Sequence, residues 1–488
     1  MLSKLLMPAG MAILAILFLQ LFATHSPRVP NTVLKDVTYF NFSDSTPSIP
    51  VNVKGYKGTT LTKSMNEIHF TSATDNDYYR TDTSNRYCFL YVETRVDEFL
   101  NDYAKRVPLN LSIVIDRSGS MEGDKIKYAR EAAIYIIEQL KPEDRVSVIA
   151  YDDHITLIQA STTVTDKQLL IKKIKAIYPG GSTNLWGGTE KGYEQIKNNF
   201  MPGAVNRVLL LSDGLANEGL TDEKAITYKV QQYKDKEGIT FSGFGLGLDY
   251  NENLMTGMAE SGSGNYYFIE SAANLAGIFS KELNGLMNVA AQNTVLNIEI
   301  PQGVTVEKLY QLPYTHIGNT VQFNLRDLFS QERKGILLYC RIDDRVNQSL
   351  TFTSTLSYRA TRHYQLETLV NKNIIYPMPG LEKYEFAFNE KVIQQAILNQ
   401  ANENMEKAIA EADQGRYEIA QTISDKNNKY LQQNNHYVTG SPELKKLKGE
   451  ILSYNAQLVS TDTMTVSDIK RMQKSTKEAS YKIRTKKQ

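Results

Sequence analysis

The chain has 488 residues, enough for about two to four domains, and its 41% hydrophobic content is that of an ordinary globular protein. With 55 Lys and Arg against 54 Asp and Glu, the net charge of +1 gives no electrostatic case for nucleic acid as a partner. Six histidines and two cysteines leave little material for a zinc centre. Residues 5–23 form the one long apolar stretch, preceded by Lys4. Its length suits a bilayer span and exceeds the usual core of a signal peptide. Thr24-His25-Ser26 is a poor cleavage site and no cysteine follows for lipid attachment, so residues 1–25 read as a retained anchor ahead of a cleaved signal. Either reading carries the bulk of the chain outside the cytoplasm, to the cell envelope or beyond. Residues 26–60, rich in Pro, Asn, Ser and Thr, read as a linker. Strand-like runs at 66–70 and 86–95, with Asp75-Asn76-Asp77 as the turn between them, open a β region at 61–105.

The stretch that organises the chain follows. Leu111 to Ile115 is an apolar run rich in β-branched residues, and it leads straight into Asp116-Arg117-Ser118-Gly119-Ser120-Met121 before a helical pattern at 125–140. A carboxylate and two hydroxyls at alternate positions of a tight loop can turn on one point, and hard oxygens of that kind suit Mg²⁺ or Mn²⁺. Open α/β sheets bind their ligands at the carboxyl ends of strands, where this loop falls. Pro179-Gly180-Gly181-Ser182-Thr183 adds a hydroxyl in a flexible loop, and a second apolar strand at 207–211 ends in Ser212-Asp213-Gly214. Taken singly, each of these polar residues could be a helix cap or a loop shaper.

In this combination the chain resembles the von Willebrand factor type A (VWA) family and its metal-ion-dependent adhesion site. The resemblance covers about residues 106–286 and matches the family pattern at Asp116, Ser118, Ser120, Thr183 and Asp213. It implies a Mg²⁺ site, with Mn²⁺ or Ca²⁺ as alternatives. The serines and the threonine would reach the ion, and Asp116 and Asp213 would act through hydrogen bonds or water. It also implies a doubly wound, mainly parallel sheet with helices on both faces over residues 106–288. The residues agree: strands at 145–151, 155–160 (a short edge strand), 239–246 and 265–269 alternate with helices at 166–177, 188–200, 221–238 and 275–286. Asp166 and Thr221 are the expected caps of two of them.

Strand-like runs return at 295–300, 321–325, 335–342 and 349–359, so β material lies on both sides of the α/β unit. The economical reading is one β-sandwich, built from 61–105 and 289–375, into which the α/β unit is inserted. Exported bacterial VWA proteins and the heavy chains of inter-alpha-trypsin inhibitor look similar in this pairing. Cys88 and Cys340 sit on predicted strands of opposite flanks, either bonded in an oxidising compartment or packed as free thiols. Residues 380–460 turn helical, with Phe388, Val392 and Ala396 on one face and a break at Asp413-Gln414-Gly415. Gly415-x-Tyr417-x-x-Ala420 is similar to a tetratricopeptide helix pair, but no second copy follows, so a single hairpin is expected, with a last helix at 444–457. Residues 461–488 read as a basic, flexible tail.

Trp186, three residues after Thr183, is the candidate rim residue for a bound partner, the alternative being that it covers the start of a helix. Asp152-Asp153-His154 reads as a solvated turn rather than a catalytic group. Ser467-Asp468-Ile469-Lys470 has Ser-x-x-Lys spacing but no companion motif. No His-Glu-x-x-His and no phosphate-binding loop occurs. The expectation is a non-enzymatic, membrane-anchored or exported protein that captures an Asp or Glu of a partner protein through a bound metal. An envelope assembly scaffold acting through its helices is the alternative, and a metal-dependent hydrolase ranks third.

Overall fold

The computed structural model describes residues 53–84, 86–98, 106–213, 215–270, 275–310, 312–362 and 365–486. The predicted anchor at 5–23 and most of the predicted linker lie outside the described residues, among which no helix is long and apolar enough to cross a membrane. Four strands come first: β1 (Thr60–Met65), β2 (Ile68–Thr74), β3 (Tyr78–Arg80) and β4 (Tyr87–Val96).

The α/β unit opens with β5 (Leu109–Asp116), α1 (Asp124–Gln139), β6 (Arg145–Tyr151) and β7 (Ile155–Thr163). It continues through α2 (Lys167–Lys175), α3 (Leu185–Asn198), β8 (Val205–Ser212) and α4 (Glu223–Glu237), then β9 (Thr240–Leu246), α5 (Glu252–Ser261), β10 (Tyr266–Ile269) and α6 (Leu275–Met287). Its six strands run in the order β10-β9-β8-β5-β6-β7, all parallel except β7, which hairpins back on β6. Every residue of β5 is buried, because side chains of both parities meet a helical layer. Leu111, Ile113 and Ile115 pack with Ile126, Ala133 and Ile137 of α1 and Phe279 and Leu283 of α6. Val114 joins Val208 and Leu210 against Tyr193 of α3, Ile226 of α4 and Leu254 of α5. Asp166 caps α2 through the Leu169 amide as expected, whereas α4 is capped by Asp222, one residue beyond Thr221.

After α6 come β11 (Val289–Glu299), β12 (Val304–Tyr310), β13 (Thr315–Ile317), β14 (Thr320–Phe329), β15 (Arg333–Ile342), β16 (Leu350–Ala360) and β17 (Leu366–Met378). One sheet runs β1-β2-β4-β15-β12 and a second β13-β14-β11-β16-β17-β3, so each takes strands from both flanks of the α/β unit. β4 pairs antiparallel with β15, which sets Cys88 directly opposite Cys340; both are buried free thiols in this structure. Tyr78 to Arg80 add in parallel to the end of β17. Leu90 and Val92 point into the sandwich with Ile336, Leu338, Phe323 and Phe352. Phe89 and Tyr91 point the other way, onto the C-terminal helices. Burial on both faces is why the run 87–92 carries no polar alternation.

Those helices are α7 (Glu390–Asp413), α8 (Tyr417–Gln433), α9 (Asn435–Gly440), α10 (Pro442–Val459) and α11 (Val466–Thr485). The region is therefore a bundle rather than a single hairpin. Val392, Ile393, Ala396 and Ile397 of α7 cover Phe89, Tyr91 and Leu337 of the first sheet. The expected flexible tail is instead α11, which lies along the edge of the α/β unit. Its cations are matched one by one: Lys470 to Asp249, Arg471 to Glu270, Lys477 to Asp413, Arg484 to Glu260 and Glu406, and Lys486 to Glu443. Tyr481, in its penultimate turn, enters the α/β core beside β10.

Candidate functional site

The carboxyl ends of β5, β6 and β8 place Asp116, Tyr151 and Ser212 at one level, since Asp116 pairs in register with Tyr151 and Ile115 with Leu211. Asp116 is fully buried. Its Oδ1 accepts from the Ser118 amide at 2.9 Å, and its Oδ2 accepts from the Ser212 hydroxyl at 2.7 Å and the Tyr151 hydroxyl at 3.2 Å. Burial pushes the Asp116 carboxyl up, while the Ser118 and Ser212 hydrogen bonds pull it down and the nearby Asp213 charge adds to the rise. The loop then turns through a 3₁₀ step at Gly119–Met121, anchored by the buried Met121 side chain. The Ser118 and Ser120 hydroxyls stand 3.1 Å apart, and Ser120 donates to Asp213 Oδ1 at 2.9 Å.

Thr183 arrives on a loop pinned to this one. The Gly180 amide donates to Arg117 O at 2.7 Å and the Gly119 amide to Gly181 O at 3.0 Å. Gly181, at φ +35°, has no room for a side chain: a Cβ there would stand 1.8 Å from Asp153 Oδ1. The Thr183 amide donates to Asn217 Oδ1 at 2.9 Å, and its carbonyl accepts from the Asn217 and Glu218 amides. The Thr183 residue is 4% exposed, yet its hydroxyl makes no hydrogen bond to any described residue. The structure thus joins Asp116, Ser118, Ser120 and Asp213 by direct hydrogen bonds and sets Thr183 beside them through its loop. Three hydroxyls and two carboxylates form an all-oxygen donor set, the chemistry that a hard divalent cation takes.

Comparison with known proteins agrees with this architecture. The family model described as von Willebrand factor type A domain matches residues 110–281. Residues 110–281 are a VWA domain. YfbK of Escherichia coli (strain K12), itself uncharacterized, is 30% identical over 199 residues, 40% of this chain and 34% of its own length. Inter-alpha-trypsin inhibitor heavy chain H1 of Sus scrofa is 30% identical over 191 residues, 36% of this chain and 21% of its own. The chain therefore spans about a third or less of these relatives. The solved structure of a von Willebrand factor type A protein from Catenulispora acidiphila is similar in fold, with a TM-score of 0.63 at 14% identity. That likeness covers 80% of this chain and 91% of the other, so it extends beyond the VWA domain. VWA domains commonly mediate protein interactions, and many bind a divalent metal.

Trp186 does not stand on the rim. It is 3% exposed, in the first turn of α3, with Tyr193 at 6.4 Å and the Lys229 ammonium 5.4 Å over its ring. The exposed apolar residues nearest the site along the chain are Tyr178, 67% exposed and two residues before Gly180, and Leu215, 54% exposed and two after Asp213. Asp152-Asp153-His154 makes the expected hairpin corner, with its ligand-type atoms within 4.8 Å of one another. Asp152, however, is buried rather than solvated: it pairs with Arg117 at 3.1 Å, and its carbonyl accepts from the Asn184 amide. Tyr151 and Ser212, which hold Asp116, escaped the motif reading; their signal is that each closes a strand at the level of Asp116. Lys125 escaped it as well. Its ammonium pairs with Asp213 Oδ2.

Proposed function

We propose that the VWA domain is a protein-binding module that captures an Asp or Glu of a partner through a divalent cation, Mg²⁺ for preference. Asp116, Ser118, Ser120, Thr183 and Asp213 would hold the ion. The observation that carries this reading is the convergence of two buried carboxylates and two serine hydroxyls, joined by direct hydrogen bonds, with Thr183 set beside them on a loop pinned to theirs. When bound, the ion supplies a positive centre for an incoming carboxylate. The chain's own part is orientation: Ser212, Tyr151 and the Ser118 amide fix Asp116, and Asn217 and Glu218 fix the Thr183 backbone. Tyr178 and Leu215 offer apolar contact to the rest of the partner. Capture without turnover is the activity we assign. If residues 5–23 anchor the chain or direct its export, the captured partner lies outside the cytoplasm. A scaffold acting through the helices ranks lower, because α7 spends its apolar face on the β-sandwich and α11 docks on the VWA domain.

Calorimetry of Mg²⁺ with the full chain tests the assignment. The wild type should bind one ion, Asp116→Ala should abolish binding and Ser118→Ala should weaken it less. Equal heats from all three would overturn it. Partner capture that persists in chelator would overturn the mechanism.

A further inference from the structure

The two sheets of the sandwich are covered unequally. α7 lies on the outer face of the first. On the second, the VWA domain reaches β14, where Asn324 donates to Asp235 and Arg326 to the Lys234 carbonyl of α4. The outward face of β11, β16 and β17 carries no layer of described residues. Alternate residues of a strand share a face. β16 turns Thr351, Thr353, Thr355 and Ser357 outward, while Phe352, Leu356 and Tyr358 fill the core. Pairing fixes their neighbours: Glu299 of β11 stands opposite Thr353 on one side, and Lys372 of β17 stands opposite it on the other. The two charges therefore flank the middle strand symmetrically, about 5 Å to either side. Both are exposed, and neither side chain makes an ion pair or hydrogen bond with a described residue.

We propose that this face binds a second copy of the chain, packed sheet on sheet about a two-fold axis that runs along β16. Such an axis leaves β16 facing β16 and exchanges β11 with β17. Glu299 then lies over Lys372 of the second copy and Lys372 over its Glu299, so one closed contact forms two ion pairs. The outward hydroxyls of β16 meet their own counterparts, and a hydroxyl can both donate and accept, so a self-facing row of them is satisfied. Ile374, opposite Thr351 and 41% exposed, adds apolar contact beyond the charges. Arg359 would meet its own copy and bounds the contact at the other end of the strand. An unrelated partner gains nothing from the mirror placement of the two charges, whereas a second copy gains both pairs. Three strands of about eight residues present about 400 Å² per copy, half of a standard stable interface, so the dimer is weak and reversible. β16 ends beside the strand that leaves the VWA domain, where Thr361 donates to the Val289 carbonyl. With the axis along the strands, both VWA domains sit at the same end of the paired sandwiches, and the dimer presents two candidate metal sites on one side.

Sedimentation velocity of the full chain in mild detergent, over about 1 to 200 μM, reads the association. The wild type should pass from monomer to dimer within that range. Glu299→Lys and Lys372→Glu each set like charges face to face twice, and each should raise the dissociation constant by about tenfold or more. The double variant exchanges the two charges, restores both pairs and should return to the wild-type constant. Thr353→Arg, on the axis itself, should leave a monomer. All these side chains lie on an open sheet face, so the urea midpoint of each variant should stay at that of the wild type, which separates lost association from lost fold. A wild type that stays monomeric overturns the proposal. So does a dimer indifferent to the single charge changes, which places the contact elsewhere, and so does a double variant no tighter than the single ones.

Discussion

Tyr481 is the residue through which the docking of α11 can be measured. Its ring is buried edge-on to Tyr266, with centroids 5.6 Å apart. Its hydroxyl accepts from the Tyr266 amide at 3.2 Å and lies 3.4 Å from the Gly264 carbonyl. Burial holds the phenol well above its ordinary range, so the hydroxyl stays protonated and able to donate. β10 is an edge strand, and Tyr481 covers the amide that its free side would otherwise present. Tyr481→Phe keeps the ring and strands that amide. Both hydrogen bonds are long, so the loss belongs at the low end of the range for an unsatisfied buried donor, about 1 kcal/mol. Tyr481→Ala adds the cavity of an aromatic side chain, about 3–5 kcal/mol more. Urea unfolding gives both differences, and hydrogen exchange at the Tyr266 amide should speed up already in the Phe variant. A Phe variant as costly as the Ala variant would refute the division between ring and hydroxyl. An Ala variant costing under about 1 kcal/mol would refute the docking of α11 altogether.

Two further outcomes follow from the same packing. Burial pushes Glu252, beneath Lys474 and Lys477 at the α5–α11 contact, up from 4.5 to about 7. The folded state then holds a proton that the unfolded chain has released, so stability falls as pH rises from about 4.5 to 7, by about 3 kcal/mol. Glu252→Gln should remove that slope, and a wild type whose margin over the variant grows with pH in this window contradicts the assignment. Cys88 and Cys340 stand opposite one another on adjacent strands, close enough for a bond, yet their contact and burial push the Cys88 thiol well up. Folded, reduced protein should stay reduced in oxidised glutathione at pH 7, whereas protein refolded in it should emerge bridged, as thiol counting and mass would show. The bridge would close a loop around the whole VWA domain, worth about 5 kcal/mol in the chain-entropy model, and oxidation of the folded form as fast as of the unfolded would refute the reasoning.

The VWA domain was legible because its signals are local. Apolar runs buried on both faces announce a parallel sheet, and Asp116, Ser118 and Ser120 sit within five residues. Asp213 directly follows a strand of the same kind. Trp186 was misplaced because the helix was expected to begin at 188. Asn184 in fact caps it through the Gly187 amide, which moves Trp186 from the loop into a first turn that faces the core. The tail at 461–488 was misread for the opposite reason. Within the tail only Asp468 and Glu478 answer its cations, at Arg471 and Lys482; the other acids that do are Asp249, Glu252, Glu260, Glu270, Glu406, Asp413 and Glu443, spread over some two hundred residues. Composition alone reads such a segment as solvated, and only the fold brings its partners together.

The fold also sets the candidate site apart from the sandwich. The chain enters and leaves the VWA domain at the amino ends of the strands, near residues 106 and 288, where β4 and β11 connect it to the sandwich. The candidate site lies at the opposite pole, at the carboxyl ends. Beside these two connections, Asp235 and the Lys234 carbonyl of α4 accept from Asn324 and Arg326 of β14, and α11 adds a further contact. It runs antiparallel to β10, with Lys470 and Arg471 at the site pole against Asp249 and Glu270, and Tyr481 and Arg484 at the sandwich pole against Tyr266 and Glu260. A helix of 20 residues is about 30 Å long, the height of such a domain. Its far end is tied to α7 and α10 through Glu406 and Glu443. The same helix is thus tied at one end to the helical bundle and at the other to Asp249 and Glu270 of the VWA domain, and only the fold brings these three parts together.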